Sequence, residues 1–426
     1  CYSPVYVDGM VIDAEDESPI EDAHVIGLDD KKVAVTDVAV SDENGEYRLE
    51  LPTERREDGE PIDSSFTLRA DAADYQTFPG GLRTALPINS STAEEVEDGW
   101  VIEGSPTTIT LIRLESEERD QHTISGRVNA ENPAGVLVVA EPSDFESDGE
   151  GEAAGFGAVT DREGRYTIFN VPNDDYVVRG YAGGVNLEPE EVTVEDDSLE
   201  EVDLEAVDES LPDVSGSVEI VDASGDAATS VVLVVASTFD DTFVRGEVPA
   251  GLRDPETGDP DVTGNWEIDD VPPGEYVVLA AFENDGMVRD PDQNIGGTDF
   301  VLLEVEAGDD DVQVSDSFKV TEALAVEEPG AEKPERLESA PTLVWADDSS
   351  EDYYEVEVYN AHGELVWEDR EIDAVSGSDT VSVEYDGPTE AGMYYQFRAS
   401  SWRAPGGQDA SAISQTEDLR GVFYFE

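Results

Sequence analysis

Positive charge is scarce in this chain. Its 426 residues include 23 Lys and Arg against 104 Asp and Glu, which gives a formal net charge of −81 at pH 7. Only four of the basic residues are lysines. A nucleic acid or an anionic lipid surface would be repelled along the whole chain, because binding to phosphates needs clustered Lys or Arg. The composition therefore excludes nucleic acid as a partner and favours inorganic cations.

Cysteine and long apolar runs are also nearly absent. Cys1 is the only cysteine, so no disulfide can form within the chain. No run of about 18 apolar residues offers a membrane-spanning helix. The position of Cys1 resembles that of the lipidated first residue of mature secreted lipoproteins. We therefore expect a lipid on Cys1 to be the only link to a membrane; the alternative is a sequence boundary that happens to fall at a cysteine.

The chain does contain enough apolar and aromatic material for folded domains. Hydrophobic residues make up 38% of it, with 15 Tyr, 13 Phe and 5 Trp, whereas a disordered acidic chain would have few of them. Like charges on a folded domain repel, but the Debye length falls from about 10 Å in 0.1 M salt to about 3 Å in 1 M salt. We therefore expect a folded extracellular protein of a halophilic prokaryote.

One pattern occurs three times before residue 320. Each copy begins with a Gly-x-Val segment and continues with an apolar run. A turn then leads into an alternating strand that carries an aromatic residue, and in the first two copies Asp opens this turn and Gly takes its positive φ. The glycines of the first segments are Gly9, Gly126 and Gly216, and the aromatic residues are Tyr47, Tyr166 and Trp266.

The second and third copies share a further Val-Pro-x-x-x-Tyr hairpin at residues 171–176 and 271–276. Together with Pro-Ile-x-x-Ala-x-Val at residues 19–25, these motifs resemble the carboxypeptidase regulatory-like family over about residues 5 to 320. The resemblance implies small transthyretin-like or immunoglobulin-like β-sandwiches, found in tandem in secreted proteins. It carries no catalytic residues to this chain.

The pattern changes after residue 320. Residues 324–340 are rich in Pro and Glu and predict an extended linker. The strict alternation and early Trp345 of residues 341–426 resemble a fibronectin type III domain. No segment of ten residues has a helical period with caps. We therefore expect an all-β chain of tandem immunoglobulin-like sandwiches, with domains at residues 1–117, 118–209, 210–323 and 341–426.

Catalytic motifs are absent from the sequence. The three histidines, His24, His122 and His362, lie in different expected domains and lack a second ligand at metal spacing. There is no nucleophile elbow and no phosphate-binding glycine loop. We therefore predict a protein that is not an enzyme and needs no cofactor; an enzyme of unrecognised type is the third hypothesis.

Calcium is the one metal for which the sequence offers grouped oxygen ligands. Two acidic loops carry them, although neither fits the EF-hand pattern, and the alternative is a diffuse atmosphere of counter-ions. The candidate ligands are Asp254, Asp259, Asp261, Asp309, Asp310 and Asp311.

Two further residues are candidate contact or modification sites. Asn89 begins the only Asn-x-Ser/Thr sequence and could carry a glycan. Trp266, Trp345 and Trp367 lie in alternating strands and are expected in the core, whereas Trp402, at a strand end, is the candidate ligand contact.

The expected function is structural or adhesive. We expect a cell-surface protein, a rod of sandwiches that could polymerise as a filament subunit by pairing sheet edges with itself or with other surface proteins. Residues 2–7 and 422–426 are candidate exchanged strands, although each could simply complete its own domain. The second hypothesis is a surface module that binds carbohydrate or protein.

Overall fold

The computed structural model describes most of the chain as β-structure. The described residues are 5–52, 61, 64–80, 85–97, 99–147, 151–221, 230–241, 245–256, 261–281, 301–315, 318–321, 324–348, 351–376, 379–404, 410–416 and 420–425. Within these ranges the only helices are three 3₁₀ turns, Ser90–Thr92, Ser105–Thr107 and Ala236–Thr238. None of the described helices has the length and apolarity needed to cross a membrane. The all-β prediction is confirmed.

The first repeat is a sandwich of two sheets. Its strands are β1 (Val5–Asp13), β2 (His24–Leu28), β3 (Ala39–Val40), β4 (Glu46–Leu51), β5 (Ser65–Asp71), β6 (Ile88–Asn89), β7 (Glu94–Val96), β8 (Gly99–Ile102) and β9 (Thr108–Leu111). One sheet has the order β4-β1-β8-β7, with β9 also paired to β1, and the other has the order β3-β2-β5-β6. Alternate residues of the two sheets enclose one apolar core.

The second and third repeats have the same two-sheet plan. The second contains β10 (His122–Asn129), β11 (Leu137–Pro142), β12 (Phe156–Val159), β13 (Arg165–Val171), β14 (Asp174–Tyr181), β15 (Glu190–Val194) and β16 (Leu204–Glu205). The third contains β17 (Val214–Val221), β18 (Ser230–Val235), β19 (Arg253–Asp254), β20 (Asn265–Ile268), β21 (Gly274–Ala281), β22 (Val301–Val305), β23 (Val312–Gln313) and β24 (Phe318–Thr321). The sheets are β13-β10-β16 with β12-β11-β14-β15, and β20-β17-β23 with β19-β18-β21-β22, where β24 also pairs with β17.

The fourth domain begins earlier than the sequence predicts. Its strands are β25 (Val326–Glu328), β26 (Glu335–Leu337), β27 (Thr342–Ala346), β28 (Tyr353–Asn360), β29 (Leu365–Asp373), β30 (Thr380–Glu384), β31 (Tyr394–Arg403), β32 (Ser411–Gln415) and β33 (Val422–Phe425). β25 pairs with β27 and β26 pairs with β33, while Leu324 and Leu337 pack on the aromatic core. The predicted linker at residues 324–340 is therefore wrong, because this segment forms two strands of the domain, Leu324 is buried in its core, and Val326 and Leu337 pack partly buried against it.

A glycine faces an aromatic residue at the same place in each repeat. Gly9 lies opposite Tyr47, and Gly126 lies opposite Tyr166. A Cβ atom on Gly9 would lie 2.5 Å from the hydroxyl of Tyr47, and one on Gly126 would lie 1.8 Å from the carbonyl oxygen of Val202. Each glycine is therefore required because the aromatic ring and the neighbouring strand occupy the space where a side chain would be.

The aromatic hydroxyls tie this position to the segment just before the last strand of the first repeat and of the second. The Tyr47 hydroxyl donates to the Thr107 carbonyl at 2.6 Å, and the Tyr166 hydroxyl donates to the Val202 carbonyl at 2.5 Å. Burial raises the pKa of both tyrosines, so both stay protonated donors. In the third repeat, Trp266 lies over its glycine, but its buried indole N–H has no hydrogen-bond partner within the described residues. We call the glycine, the ring and the carbonyl the glycine–aromatic lock.

The terminal strands are central in their own sheets. Val5, Val7 and their neighbours pair with β4 on one side and β8 on the other. β33 pairs with both β26 and β31. Within this single chain the described parts of both segments complete their own domains and have no free edge, as the alternative expects, and their exchange between subunits stays a prediction.

Consecutive repeats meet through equivalent turns. Asn170 of the second repeat donates from Nδ2 to the carbonyls of Ala72 (3.1 Å) and Tyr75 (3.0 Å), while its Oδ1 accepts from the Asp74 N–H at 2.7 Å. At the next junction, the carbonyl of Asp270 in the third repeat accepts from the N–H of Gly184 in the second at 2.9 Å. Each repeat therefore packs on its predecessor through the turn before its Val-Pro hairpin.

Domains that are not neighbours in sequence are also in contact. Arg69 of the first repeat pairs with Glu247 of the third at 2.8 Å. The Ser105 hydroxyl of the first repeat donates to the Gly392 carbonyl of the fourth domain at 2.5 Å. The expected end-to-end rod is therefore wrong, because its domains would touch only their sequence neighbours.

Removing one hydroxyl from the glycine–aromatic lock should lower stability. We expect Tyr166→Phe to reduce the free energy of unfolding by about 1–3 kcal/mol, because the buried Val202 carbonyl loses its donor. Denaturant unfolding in molar salt measures this loss. Tyr353→Phe, which alters a tyrosine of the fourth domain, is the matched control; equal losses in both variants would contradict the role of the lock.

Candidate functional site

Some of the buried charged groups lie where the repeats meet, and Arg69 is one of them. Arg69 is only 4% exposed. Its Nε donates to Asp71 at 3.2 Å, Nη1 donates to Glu247 at 2.8 Å, and Nη2 donates to the Gly157 carbonyl at 3.2 Å. Burial alone would lower the pKa of Arg69, but Asp71 and Glu247 raise it above its usual value, so the guanidinium is charged. One side chain thus joins all three repeats, and we call this place the three-repeat junction.

A buried carboxyl occupies the interface between the second and third repeats. The side chain of Glu141 is 14% exposed and lies 3.2 Å from the Nε of Arg179. The hydroxyls of Tyr181 (2.7 Å) and Ser237 (3.0 Å) donate to its Oε1. Burial raises the pKa of Glu141, although these donors and Arg179 oppose the change. Tyr181 continues the interface edge to face against Tyr276, with centroids 5.9 Å apart.

The sequence-predicted calcium ligands flank an acidic cluster that the sequence did not reveal. Carboxylate oxygens of Asp213, Glu267 and Asp269 lie within 4.8 Å of one another. Asp254 accepts from the Glu267 N–H at 2.9 Å, and Asp311 accepts from the Asp213 N–H at 3.3 Å. The structure thus brings one residue from each predicted loop to the edges of the cluster.

The other predicted ligands are placed differently. Burial raises the pKa of Asp254, and the carboxylates of Asp261 and Asp269 nearby raise it further. Asp309 closes its own turn by accepting from the Glu306 N–H at 2.9 Å. Asp310 is exposed, and Asp259 lies outside the described residues.

Three clustered carboxylates do not complete a calcium site. Calcium takes six to eight oxygen ligands, and a diffuse counter-ion atmosphere needs only the negative potential. Glu267 and Asp269 are exposed and Asp213 is partly buried. Alternation along β20 places Glu267 on the same outer face as Asp269, the residue that follows the strand, which the sequence could have indicated. The approach of Asp213, which precedes β17, is a tertiary contact. Calcium therefore stays a prediction.

Trp402 lies at the end of β31 and is partly exposed. Its ring stacks on that of Tyr353 across the strand pair, with centroids 6.1 Å apart and planes 14° apart. Its indole N–H donates to the Ser400 hydroxyl at 2.8 Å. A second stacked pair, Tyr394 with Tyr424, lies at the other end of β31 with a centroid distance of 4.4 Å. The structure places Trp402 in an aromatic pair, and its role as a ligand contact stays a prediction.

Two of the three tryptophans expected in the core are there, whereas Trp367 is only partly buried against it and its indole N–H donates to Asp386 at 2.5 Å. Trp266 is 3% exposed, and Trp345 is fully buried against Tyr354 and Phe397.

Of the two candidate modification sites, Asn89 and Cys1, the structure describes only Asn89. Asn89 ends β6 and caps the 3₁₀ turn Ser90–Thr92, where its Oδ1 accepts from the N–H (2.9 Å) and the hydroxyl (2.8 Å) of Ser91. This turn is partly exposed, and glycosylation of Asn89 stays a prediction. Cys1 lies outside the described residues, so its lipidation also stays a prediction.

Comparison with known proteins gives distant structural similarity. No protein-family model matches the chain, and no curated protein matches it. The Bacillus anthracis TIE protein aligns with 95% of this chain and 68% of its own, at 12% identity and a TM-score of 0.17. Two B repeat units of the collagen-binding protein of Staphylococcus aureus align with 99% of this chain and 98% of theirs, at 12% identity and 0.20. The minor pilin of Streptococcus agalactiae aligns with 49% of this chain and 99% of its own, at 14% identity and 0.19.

The fold itself places this chain among proteins built from tandem immunoglobulin-like β-sandwich domains. The distant similarity assigns no function to it.

Thermal unfolding can distinguish an ordered calcium ion at the acidic cluster from general screening of the negative charges by counter-ions. If calcium is ordered there, Ca²⁺ should raise Tm more than Mg²⁺ does at matched ionic strength, because its coordination is larger and more flexible. Asp269→Asn should reduce this difference, while Glu191→Gln, at an exposed position of β15, should leave it unchanged. Equal effects of the two ions would contradict the calcium prediction in favour of a diffuse atmosphere.

The raised pKa of Glu141 predicts a pH-dependent contribution to stability. A carboxyl that binds its proton more tightly in the folded state adds stability below its unfolded pKa and loses it as pH rises through its folded pKa. We therefore expect the free energy of unfolding of wild type to increase relative to that of Glu141→Gln as pH falls from neutral through the folded pKa of Glu141. Unfolding at a series of pH values in molar salt measures the difference. A difference that grows as pH rises would contradict the assigned direction.

Proposed function

We propose that this chain is a non-enzymatic structural or adhesive protein on the extracellular surface of a halophilic prokaryote. The observation that carries this proposal is the three-repeat junction, where Arg69 joins groups from three sandwiches. A buried guanidinium that donates to two carboxylates and a carbonyl resists separation of its partners, because separation would leave buried charges unpaired. Repeats held in this way keep a fixed relative orientation, which suits a protein that transmits force or presents a surface.

The acidic surface supports the same role. At a net charge of −81, copies of the chain repel one another strongly at low ionic strength and much less in molar salt, where the Debye length is about 3 Å. Association between copies is then governed by exposed sheet edges. β29 (Leu365–Asp373) pairs only with β28 in the described part of its sheet, so its outer side is such an edge.

A second candidate function is binding of carbohydrate or protein by the fourth domain. The stacked pair of Tyr353 and Trp402 favours it, since a partly exposed aromatic ring next to polar groups suits the apolar face of a sugar. A glycan array in molar salt, with Trp402→Ala as the comparison, tests this candidate. Absence of binding to every sugar and protein probe would remove it.

Electron microscopy in high salt tests the structural proposal. Purified protein should assemble into ordered fibres in molar salt and disperse at low salt. Arg69→Met removes the central charge of the junction and should give irregular particles, while Arg127→Met alters an arginine of β10 away from the junction and serves as the control. Dispersed monomers in molar salt at every concentration would contradict the filament subunit.

A further inference from the structure

A cavity of about 510 Å³ lies at the three-repeat junction. Leu28 and Arg69 line it from the first repeat, Leu137 lines it from the second, and Arg245 and Val248 line it from the third. Clefts of about 300 to 1,000 Å³ at domain interfaces are common sites for small molecules. The junction cavity is therefore large enough for an organic ligand that touches all three repeats.

Basic residues outnumber acidic residues in the wall of this cavity, whereas acidic residues predominate in the chain as a whole. Among the described residues, five of the chain's 23 basic residues line it, against three of its 104 acidic residues. The basic residues are Lys31, Lys32, Arg69, Arg245 and Arg253, and the acidic residues are Glu152, Asp240 and Glu247. Half of the four lysines of the chain are thus at one cavity. Since the rest of the surface repels anions, this concentration of cations favours an anionic ligand.

Apolar side chains form another part of the wall. Leu68, Leu137 and Val232 are buried residues that line it. Chloride or another small inorganic ion gains nothing from such a wall, whereas an organic anion gains by burying its own apolar surface. The lining therefore selects an anion that has an apolar body.

One of these basic side chains, Lys31, can exchange its carboxylate partner for a ligand. The Nζ of Lys31 lies 3.4 Å from Oε1 of Glu256, and 45% and 74% of these two side chains are exposed. Exposed ion pairs of this kind contribute little stability. A ligand carboxylate can therefore take the place of Glu256 beside Lys31. Arg69, by contrast, already donates to three protein acceptors and forms a fixed part of the wall.

We propose that the junction cavity binds a small organic anion, a carboxylate with an apolar body. Its charged group pairs with Lys31 in competition with Glu256, and its body lies against Leu68 and Leu137. Because the cavity is formed by three repeats, the bound ligand stabilises their relative positions. This site is independent of filament formation.

Calorimetric titration in molar potassium chloride tests the proposal with 3-phenylpropionate as the probe. We expect the carboxylate to bind at least about tenfold more tightly than the matched 3-phenylpropanamide, since a charge-assisted hydrogen bond contributes a factor of this size or more. The cationic 3-phenylpropylamine should not bind. An amine that binds as tightly as the carboxylate would overturn the assigned charge.

Two opposite variants and a control locate the ligand. Lys31→Gln should weaken binding of the carboxylate by about tenfold, and Glu256→Gln should strengthen it by removing the competitor. Lys333→Gln, at an exposed lysine of the fourth domain, should leave the affinity for the carboxylate unchanged.

A cavity-filling variant tests the place of binding. Ala153→Trp, which enlarges an exposed residue of the lining, should abolish binding by filling the cavity. No heat from the carboxylate with folded wild type, or equal effects of Lys31→Gln and Lys333→Gln, would overturn the proposal.

Discussion

The close contact between a strand glycine and the aromatic ring opposite it is the constraint on which each repeat depends. Gly126 leaves the space that the Val202 carbonyl fills, and Tyr166 donates to that same carbonyl. The first strand, the aromatic strand and the segment that leads into the last strand are thereby fixed to one another at a single point. The two sheets can then close over the apolar residues that alternate along these strands. The third repeat keeps the glycine and the ring, while Trp266 forms no bond of this kind within the described residues.

Charged groups, together with apolar contacts, hold the repeats in their arrangement. A chain with so few cations places several of them at contacts between repeats. Arg162 of the second repeat pairs with Asp37 of the first at 2.7 Å, and Arg69 lies between the first and third repeats. Exposed pairs such as Arg162 with Asp37 contribute little on their own. The buried Arg69 is different, because leaving it without its carboxylates would be costly. The acidic exterior opposes compaction, and the bonds of the buried Arg69 add to the apolar contacts that join the repeats.

Local features of the fold could be predicted from the sequence because their causes are local. Asp42 and Asp161 each accept two backbone N–H bonds in their turns, and Gly45 and Gly164 have φ of 74° and 82°, as the Asp-Gly pattern predicts. Alternation along the strands likewise identified the buried residues, including Trp345. Each of these inferences needs only residues within one turn or one strand.

Features that depend on long-range contact could not be predicted in this way. The sequence of residues 324–340 is polar enough for a linker, and only its pairing with β27 and β33 shows that it belongs to a domain. Asp213 and Glu267 lie 54 positions apart, so their proximity follows from strand register rather than from spacing. The role of Arg69 was invisible for the same reason, since its three acceptors come from three repeats. Composition predicted the charge of the molecule, and tertiary structure determines where the few cations are placed.

Coupling between the first three repeats is the central claim, and native-state hydrogen exchange measures it most directly. Amides of the central strands β1, β10 and β17 can be followed by mass spectrometry in molar salt while denaturant is increased. If the buried interfaces couple the repeats, the slowest amides of all three strands exchange through one opening with one free energy. Three separate openings with different free energies would show that the repeats unfold independently and would contradict the account.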